Sequence, residues 1–214
     1  RMPAFPGMGY PLVPGYESVG RIRTASAASG FSEGQRVFVP GSRGFQGVRG
    51  LFGGAASRVV VPADRLVPLG DELAEEGVLL ALAATAYHAL SVSGDLVLPE
   101  LIIGHGVLGR LLARHVTALN EQPPVVWETN PDRRNTDAGY PVIDPADDLR
   151  ADYAVICDVS GSVGIFDQII PRLSRGGLIV LAGFYEQPIQ FAFPPAFMRE
   201  ARFQVAAEWR PEDL

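Results

Sequence analysis

A short apolar run, Leu101 to Ile103, leads directly into Gly104-His105-Gly106-Val107-Leu108-Gly109, and this junction constrains the chain more than any other part of its sequence. Beyond it, Val107, Leu108, Leu111, Leu112, Val116 and Leu119 fall on one helical face, while Arg110 and Arg114 fall off it. A strand turning at once into an amphipathic helix is half of a crossover unit. A second apolar run, Val125 to Trp127, supplies the returning strand. Further runs at Val142 to Ile143, Tyr153 to Val159, Leu178 to Ala182 and Phe203 to Ala207 bring the strand candidates to six. The sequence therefore predicts an α/β fold with a parallel, doubly wound sheet.

The glycine spacing is G-x-G-x-x-G, which is a weak signal alone but gains weight between a strand and a helix. Gly104 would make the turn, Gly106 would admit phosphates, and Gly109 would let the helix pack closely on the strand. Val107 and Leu108 open the helix, whose first amides and positive end suit a pyrophosphate. Glu128 closes the second run, roughly 20 residues on, where an acidic side chain accepts from ribose hydroxyls and repels a 2'-phosphate. The cofactor these residues point to is NAD, held on a Rossmann-type sheet. Arg133 and Arg134 would have to fold back to favour NADP, and they are read instead as lying on a solvated loop. Asp158 and Ser160 end the fourth strand within reach of a ribose. Gly183, Phe184 and Tyr185 follow the fifth strand, at the sheet edge where such folds bind the reactive half of a ligand. The two aromatic rings are read as a nicotinamide wall or as packing.

Residues 1–72 read differently, as short β-rich runs at Ser18 to Ile22, Arg36 to Val39 and Ser57 to Val61 punctuated by proline and glycine. They predict a small, irregular β-barrel or sandwich domain, with a helix over Leu73 to Leu90 beginning a second domain of residues 73–214. Nearly half of the 214 residues are apolar, enough for two modest cores, and the net charge of -6 argues against nucleic acid as a partner. The lone cysteine, Cys157, forms no internal disulfide, and no apolar run is long enough to span a membrane. A cytoplasmic protein is expected. The chain starts at Arg1 and ends in a polar tail from Ala206 to Leu214, so it reads as a fragment whose first domain is incomplete.

Pro14-Gly15-Tyr16-Glu17-Ser18-Val19-Gly20 resembles the Gly-His-Glu signature of medium-chain alcohol dehydrogenases, and Thr85-Ala86-Tyr87-His88-Ala89-Leu90 resembles the helix entering their nucleotide domain. The resemblance covers nearly the whole chain and implies a GroES-like barrel before the Rossmann domain. Longer phrases are similar to a branch of that family serving bacteriochlorophyll biosynthesis. They are Gly104 to Arg114, Leu51 to Ser57, Gly183 to Glu186 and Phe193-Pro194-Pro195-Ala196-Phe197-Met198-Arg199-Glu200-Ala201-Arg202. This second resemblance implies NAD-dependent oxidation of a secondary alcohol on a tetrapyrrole, the 3-(1-hydroxyethyl) group becoming 3-acetyl.

The family's zinc members hold catalytic metal with the histidine of Gly-His-Glu and often a cysteine just before the Thr-Ala-Tyr-His helix. Tyr16 and Ala81 stand at those positions here, and neither is a tetrahedral zinc ligand. The resemblance therefore implies a zinc-free enzyme, in which a side chain or water takes the hydroxyl proton. Tyr16 is the first candidate for that role, the alternative being a packing aromatic. Glu17 would orient it, and His105 is a candidate for a direct part beside the phosphates or the alcohol. His88 and His115 read as structural. Two other readings stay open: a zinc-free NADPH quinone or enone reductase, and a nucleotide-binding protein without catalysis. The strand at Phe203 to Ala207 also offers an edge through which a homodimer would extend its sheet.

Overall fold

Prolines and glycines keep the strands of the N-terminal part short. In the computed structural model, which describes residues 9–134 and 137–214, β1 (Leu12–Val13) pairs in parallel with β4 (Arg49–Gly50). β2 (Ser18–Arg21), β3 (Arg36–Val39) and β5 (Val67–Pro68) form an antiparallel sheet in the order β2-β3-β5. Val37, Phe38 and Val39 are buried on the central strand and supply the apolar centre of this unit. The run Ser57 to Val61, expected as β-rich, forms no strand. Ser42 Oγ fixes its backbone at Val60 O, 2.9 Å away, but the Val60 side chain is 80% exposed, so an alternating pattern there has no core to face.

The described residues divide into two compact units, one up to Ala81 and one from Leu82 to Asp213. The helix expected over Leu73 to Leu90 begins late. Residues Asp71–Leu79 form 3₁₀ turns broken at Ala74, whose φ is 41°, and the α-helix α1 runs over Leu80–Ser91. Gly77 interrupts the alanine- and leucine-rich pattern, and it packs so closely that a Cβ would lie 2.8 Å from the Leu69 side chain. Composition reported helix propensity here, and close packing decided where the helix starts.

In the second unit all six apolar runs become strands of one parallel sheet. They are β6 (Leu101–Ile103), β7 (Val125–Trp127), β8 (Val142–Ile143), β9 (Tyr153–Asp158), β10 (Leu173–Leu181) and β11 (Arg202–Val205). Their order, β11-β10-β9-β6-β7-β8, is that of a doubly wound dinucleotide-binding sheet, reversing direction between β6 and β9. Successive strand residues alternate between two cores. Ile102, Val126, Cys157 and Val180 pack with Leu90 of α1 and with Leu112, Ala113 and Val116 of α2 (Val107–Leu119). Leu101, Ile103, Trp127, Ile156 and Ile179 pack on the opposite face with Phe166 and Ile169 of α4 (Phe166–Ile169). The short α3 (Pro131–Arg134) follows β7, and α5 (Phe193–Arg199) precedes β11.

Two details differ from the periodic pattern. Val107 and Leu119, at the ends of α2, are 53% and 49% exposed, and the helix instead buries Gly109, Leu112, Ala113 and Val116. β10 begins at Leu173, five residues before its apolar run, because Gly176 at φ 73° lets the strand shift register against β9 and continue. The polar tail also has a partner within the second unit. A turn over Pro211–Asp213 brings Asp213 to 2.9 Å from His88 Nδ1, with both side chains almost fully buried. Among the described residues, no helix is long and apolar enough to cross a membrane.

Candidate functional site

The carboxyl ends of β6, β7, β9 and β10 converge on one edge of the sheet, and the glycine turn sits at their centre. Gly104 adopts φ 101°, which favours glycine, and a Cβ there would come within 3.2 Å of the Ser160 backbone. Gly109 lies against the turn it follows: a Cβ on it would be 2.0 Å from Gly104 O. Gly106 caps α2 without any side-chain capping bond, and a Cβ on it would meet nothing within 4 Å. The turn thus combines a tight bend, a close helix-strand contact and an open cradle at the amino end of a thirteen-residue helix. The first amides of an α-helix have no intrahelical acceptor, so this cradle fits a diphosphate.

Glu128 lies directly beneath the turn. It is 8% exposed, and its carboxylate accepts from the His105 amide at 3.2 Å and from the Asn130 amide at 2.8 Å. Each carboxylate oxygen keeps a lone pair for a ribose hydroxyl. Arg133 Nη1 stands 3.9 Å from Glu128 on a half-exposed side chain. Arg134, expected on a solvated loop, is a clamp instead. Its Nη1 donates to the carbonyls of Glu128 and Thr129, each at 2.9 Å, and pairs with Asp144 at 2.6 Å. That engagement leaves Arg133 as the guanidinium paired, at 3.9 Å, with the Glu128 carboxylate.

His105 is 1% exposed, and both of its ring nitrogens are engaged within the fold. Nδ1 lies 2.9 Å from Arg133 O, and Nε2 lies 3.0 Å from the Tyr140 hydroxyl. This histidine, expected to take a direct part in the alcohol chemistry, thus has both ring nitrogens directed at partners within the loop. Since a carbonyl only accepts, Nδ1 carries the hydrogen, and the tyrosine donates to Nε2. Burial holds the His105 pKa below its usual range, aided by Arg110 and Arg114, while the bond to Arg133 O and the Glu128 charge oppose the shift. Burial likewise raises the Tyr140 phenol. Arg110 Nε donates back to His105 O at 3.2 Å. Nothing local in the sequence marks Tyr140, because it reaches His105 across 35 residues.

On the other side of the turn, Asp158 ends β9 fully buried. It accepts from the Ser160 amide at 2.8 Å and from the Tyr185 hydroxyl at 2.6 Å. The Tyr185 phenol is raised by burial and by this carboxylate. Its ring tilts against Phe166 at 5.9 Å, so it both packs and bridges. Phe184 is 71% exposed, and Gly183 and Gly161 are in backbone contact beside it. Val107, Leu108, Gly183, Phe184, Tyr185, Asp158, Ser160 and Glu128 are thus gathered with the glycine turn at one sheet edge.

Tyr16 and Glu17 belong to the N-terminal unit. Their loop lies on the Gly53 to Ala55 segment: Gly54 N donates to Gly15 O at 3.0 Å, and Ala55 N donates to Pro14 O at 2.7 Å. The Tyr16 ring meets Phe52 edge-on at 4.9 Å. Burial raises the Glu17 carboxyl. Ala81 is fully buried.

Residues 2–71 match the alcohol dehydrogenase GroES-like domain. Over its full length the chain is 56% identical to 2-desacetyl-2-hydroxyethyl bacteriochlorophyllide A dehydrogenase of Rhodobacter capsulatus, covering 68% of that protein. In fold it is similar to 2R,3R-butanediol dehydrogenase of Bacillus subtilis, with a TM-score of 0.76 at 22% identity, over 95% of this chain and 67% of that one. It is also similar to S. aureus TarJ in complex with NADPH, with a TM-score of 0.78 at 19% identity, over 92% of this chain and 63% of that one. The chain belongs to the medium-chain dehydrogenases, oxidoreductases acting on alcohols, in the branch of the bacteriochlorophyllide dehydrogenases.

Proposed function

We propose that this protein oxidises the secondary alcohol of a 3-(1-hydroxyethyl) bacteriochlorophyllide to the 3-acetyl group with NAD and without zinc. The observation that carries the reading is the open cradle at Gly106 above the Glu128 carboxylate, in a chain 56% identical to a bacteriochlorophyllide dehydrogenase. The amides at the start of α2 would hold the diphosphate, Glu128 the adenosine ribose, and Asp158, Ser160, Gly183, Phe184 and Tyr185 the nicotinamide side. Bound NAD would accept the hydride leaving the carbinol carbon, and the hydroxyl proton would leave separately.

Tyr16 is assigned to receive that proton and Glu17 to orient it, because Tyr16 stands where the family's zinc histidine does. With Ala81 in place of a cysteine, this lobe offers a phenol and a methyl group where zinc members offer ligands, which supports the zinc-free assignment. The carboxylate of Glu128 disfavours a 2'-phosphate and supports NAD over NADP. A cytoplasmic location fits the buried, unpaired Cys157. The edge strand β11, with Phe203 and Val205 exposed, supports a homodimer by sheet extension.

The test is to mix the protein with NAD and the hydroxyethyl bacteriochlorophyllide, and to follow NADH formation with the pigment's long-wavelength band. Both signals should change together, with no stoichiometric zinc on elemental analysis. Silence in both signals overturns the substrate, tighter binding of NADPH than NADH overturns the cofactor, and zinc at one per chain overturns the proton acceptor.

A further inference from the structure

A buried histidine inside a phosphate-binding turn is chemically odd, because the position between the first two glycines needs only a backbone. At this position the imidazole reaches out of the turn and touches two separate parts of the segment that follows β7. It meets the carbonyl of Arg133, at the end of α3, and the hydroxyl of Tyr140, which lies just before β8. Its own amide donates to Glu128 at 3.2 Å, so one residue connects the turn to the end of β7 and to both sides of the loop beyond it. The rings of His105 and Tyr140 meet edge to face, with centroids 5.7 Å apart.

We propose that His105 and Tyr140 form a latch that sets the spacing between the phosphate turn and the adenosine-binding wall, making both positioning residues for the adenosine half of the dinucleotide. The proposal rests on the dinucleotide reading given above and deepens it. Neither side chain needs to touch the ligand. The latch acts through Glu128, whose carboxylate is placed by the His105 amide, and through α3, whose last turn carries Arg133 to 3.9 Å from that carboxylate. Burial keeps the imidazole neutral, the form in which Nδ1 donates to the carbonyl while Nε2 accepts from the phenol. Cutting one end leaves a buried nitrogen without its partner, so the ring and the wall it holds lose a fixed relation to the turn.

The experiment uses the full chain with three probes: NADH, ADP for the adenosine half, and reduced nicotinamide mononucleotide for the other half. Tyr140→Phe removes only the hydroxyl, and His105→Ala removes the whole latch. A thermal midpoint for each unliganded variant reports any loss of fold. The affinities for NADH and ADP should fall together, roughly three- to tenfold in Tyr140→Phe, the size expected for one net hydrogen bond. The mononucleotide affinity should stay unchanged, and adding Tyr140→Phe to His105→Ala should cost little more. Equal weakening of all three probes, or unchanged ADP affinity in both variants with the parent binding NADH, overturns the latch alone. A parent chain that binds neither NADH nor ADP overturns the dinucleotide reading as well. Should His105→Ala fail to fold, Tyr140→Phe decides, since it keeps the ring and its packing.

Discussion

Replacing Gly109 with alanine tests how α2 is seated on β6. Helix propensity alone would favour the change by about 1 kcal/mol. The structure opposes it, because the new Cβ would stand 2.0 Å from Gly104 O, well inside the 3.4 Å at which ordinary contact begins. The obstacle is backbone rather than the end of a flexible side chain, so α2 or the turn must move by about an ångström within a densely packed interior. Overpacking costs about 1–3 kcal/mol, and a 2.0 Å approach to unyielding backbone belongs in the upper part of that range, about 2–3 kcal/mol. After the propensity gain, the net loss should be about 1–2 kcal/mol, read as a lower midpoint in urea unfolding. Gly106→Ala is the control with the opposite signature. Its backbone lies at φ -73°, open to any residue, and its Cβ would meet nothing. Alanine is a poorer helix cap than glycine, but its smaller unfolded-state entropy offsets that, so stability should stay within about 0.5 kcal/mol. The methyl group would nevertheless fill the cradle, and NADH affinity, followed by fluorescence, should fall at least about tenfold, or 1.4 kcal/mol. Parental stability in Gly109→Ala, or undiminished NADH binding in Gly106→Ala, would refute the account of the turn.

Two further outcomes follow from titrating groups that burial shifts. His105 is held below its ordinary pKa of 6.5 by burial first, so the unfolded chain takes up a proton that the folded chain resists. Its contribution to stability is therefore complete above about pH 6.5 and lost as the pH falls towards the folded value. His105→Gln should flatten this part of a plot of unfolding midpoint against pH, and an unaltered slope would count against the buried neutral imidazole. Glu17 is shifted the other way: burial raises its carboxyl above 4.5, so its contribution is present below that pH and lost as the pH rises through the folded value. Glu17→Gln should raise the thermal midpoint at neutral pH while lowering turnover, and a gain in stability with full activity would remove Glu17 from the catalytic assignment.

The parallel sheet was legible because its central strands are buried on both faces and so stand out as apolar runs. Even the two-residue β8 falls where its run predicts. Legibility failed where glycine or packing interrupted a pattern, as at the start of β10 and of α1. In the candidate site, spacing and context located the turn and Glu128, because both lie within one crossover unit. The side-chain bridges were invisible. His105 to Tyr140, Asp158 to Tyr185 and His88 to Asp213 each join residues far apart in sequence, and no local periodicity encodes such a pairing. The roles of Arg133 and Arg134 were hidden for the same reason, since only the fold shows that one clamps carbonyls while the other stays half-exposed.

The central place of β6 has a consequence for how the protein is made. Its neighbours are β7, which follows it after α2, and β9, which follows only after α3, β8 and a 3₁₀ turn over Pro145–Asp147 have been synthesised. Until β9 arrives, one side of Leu101 to Ile103, a wholly apolar strand that ends fully buried, presents amides and carbonyls without their strand partner. Pairings that wait for distant chain are slow, and such open edges invite association with other nascent chains. Lower growth temperature or chaperone supply should therefore raise the yield of native protein more than any change made on its finished surface.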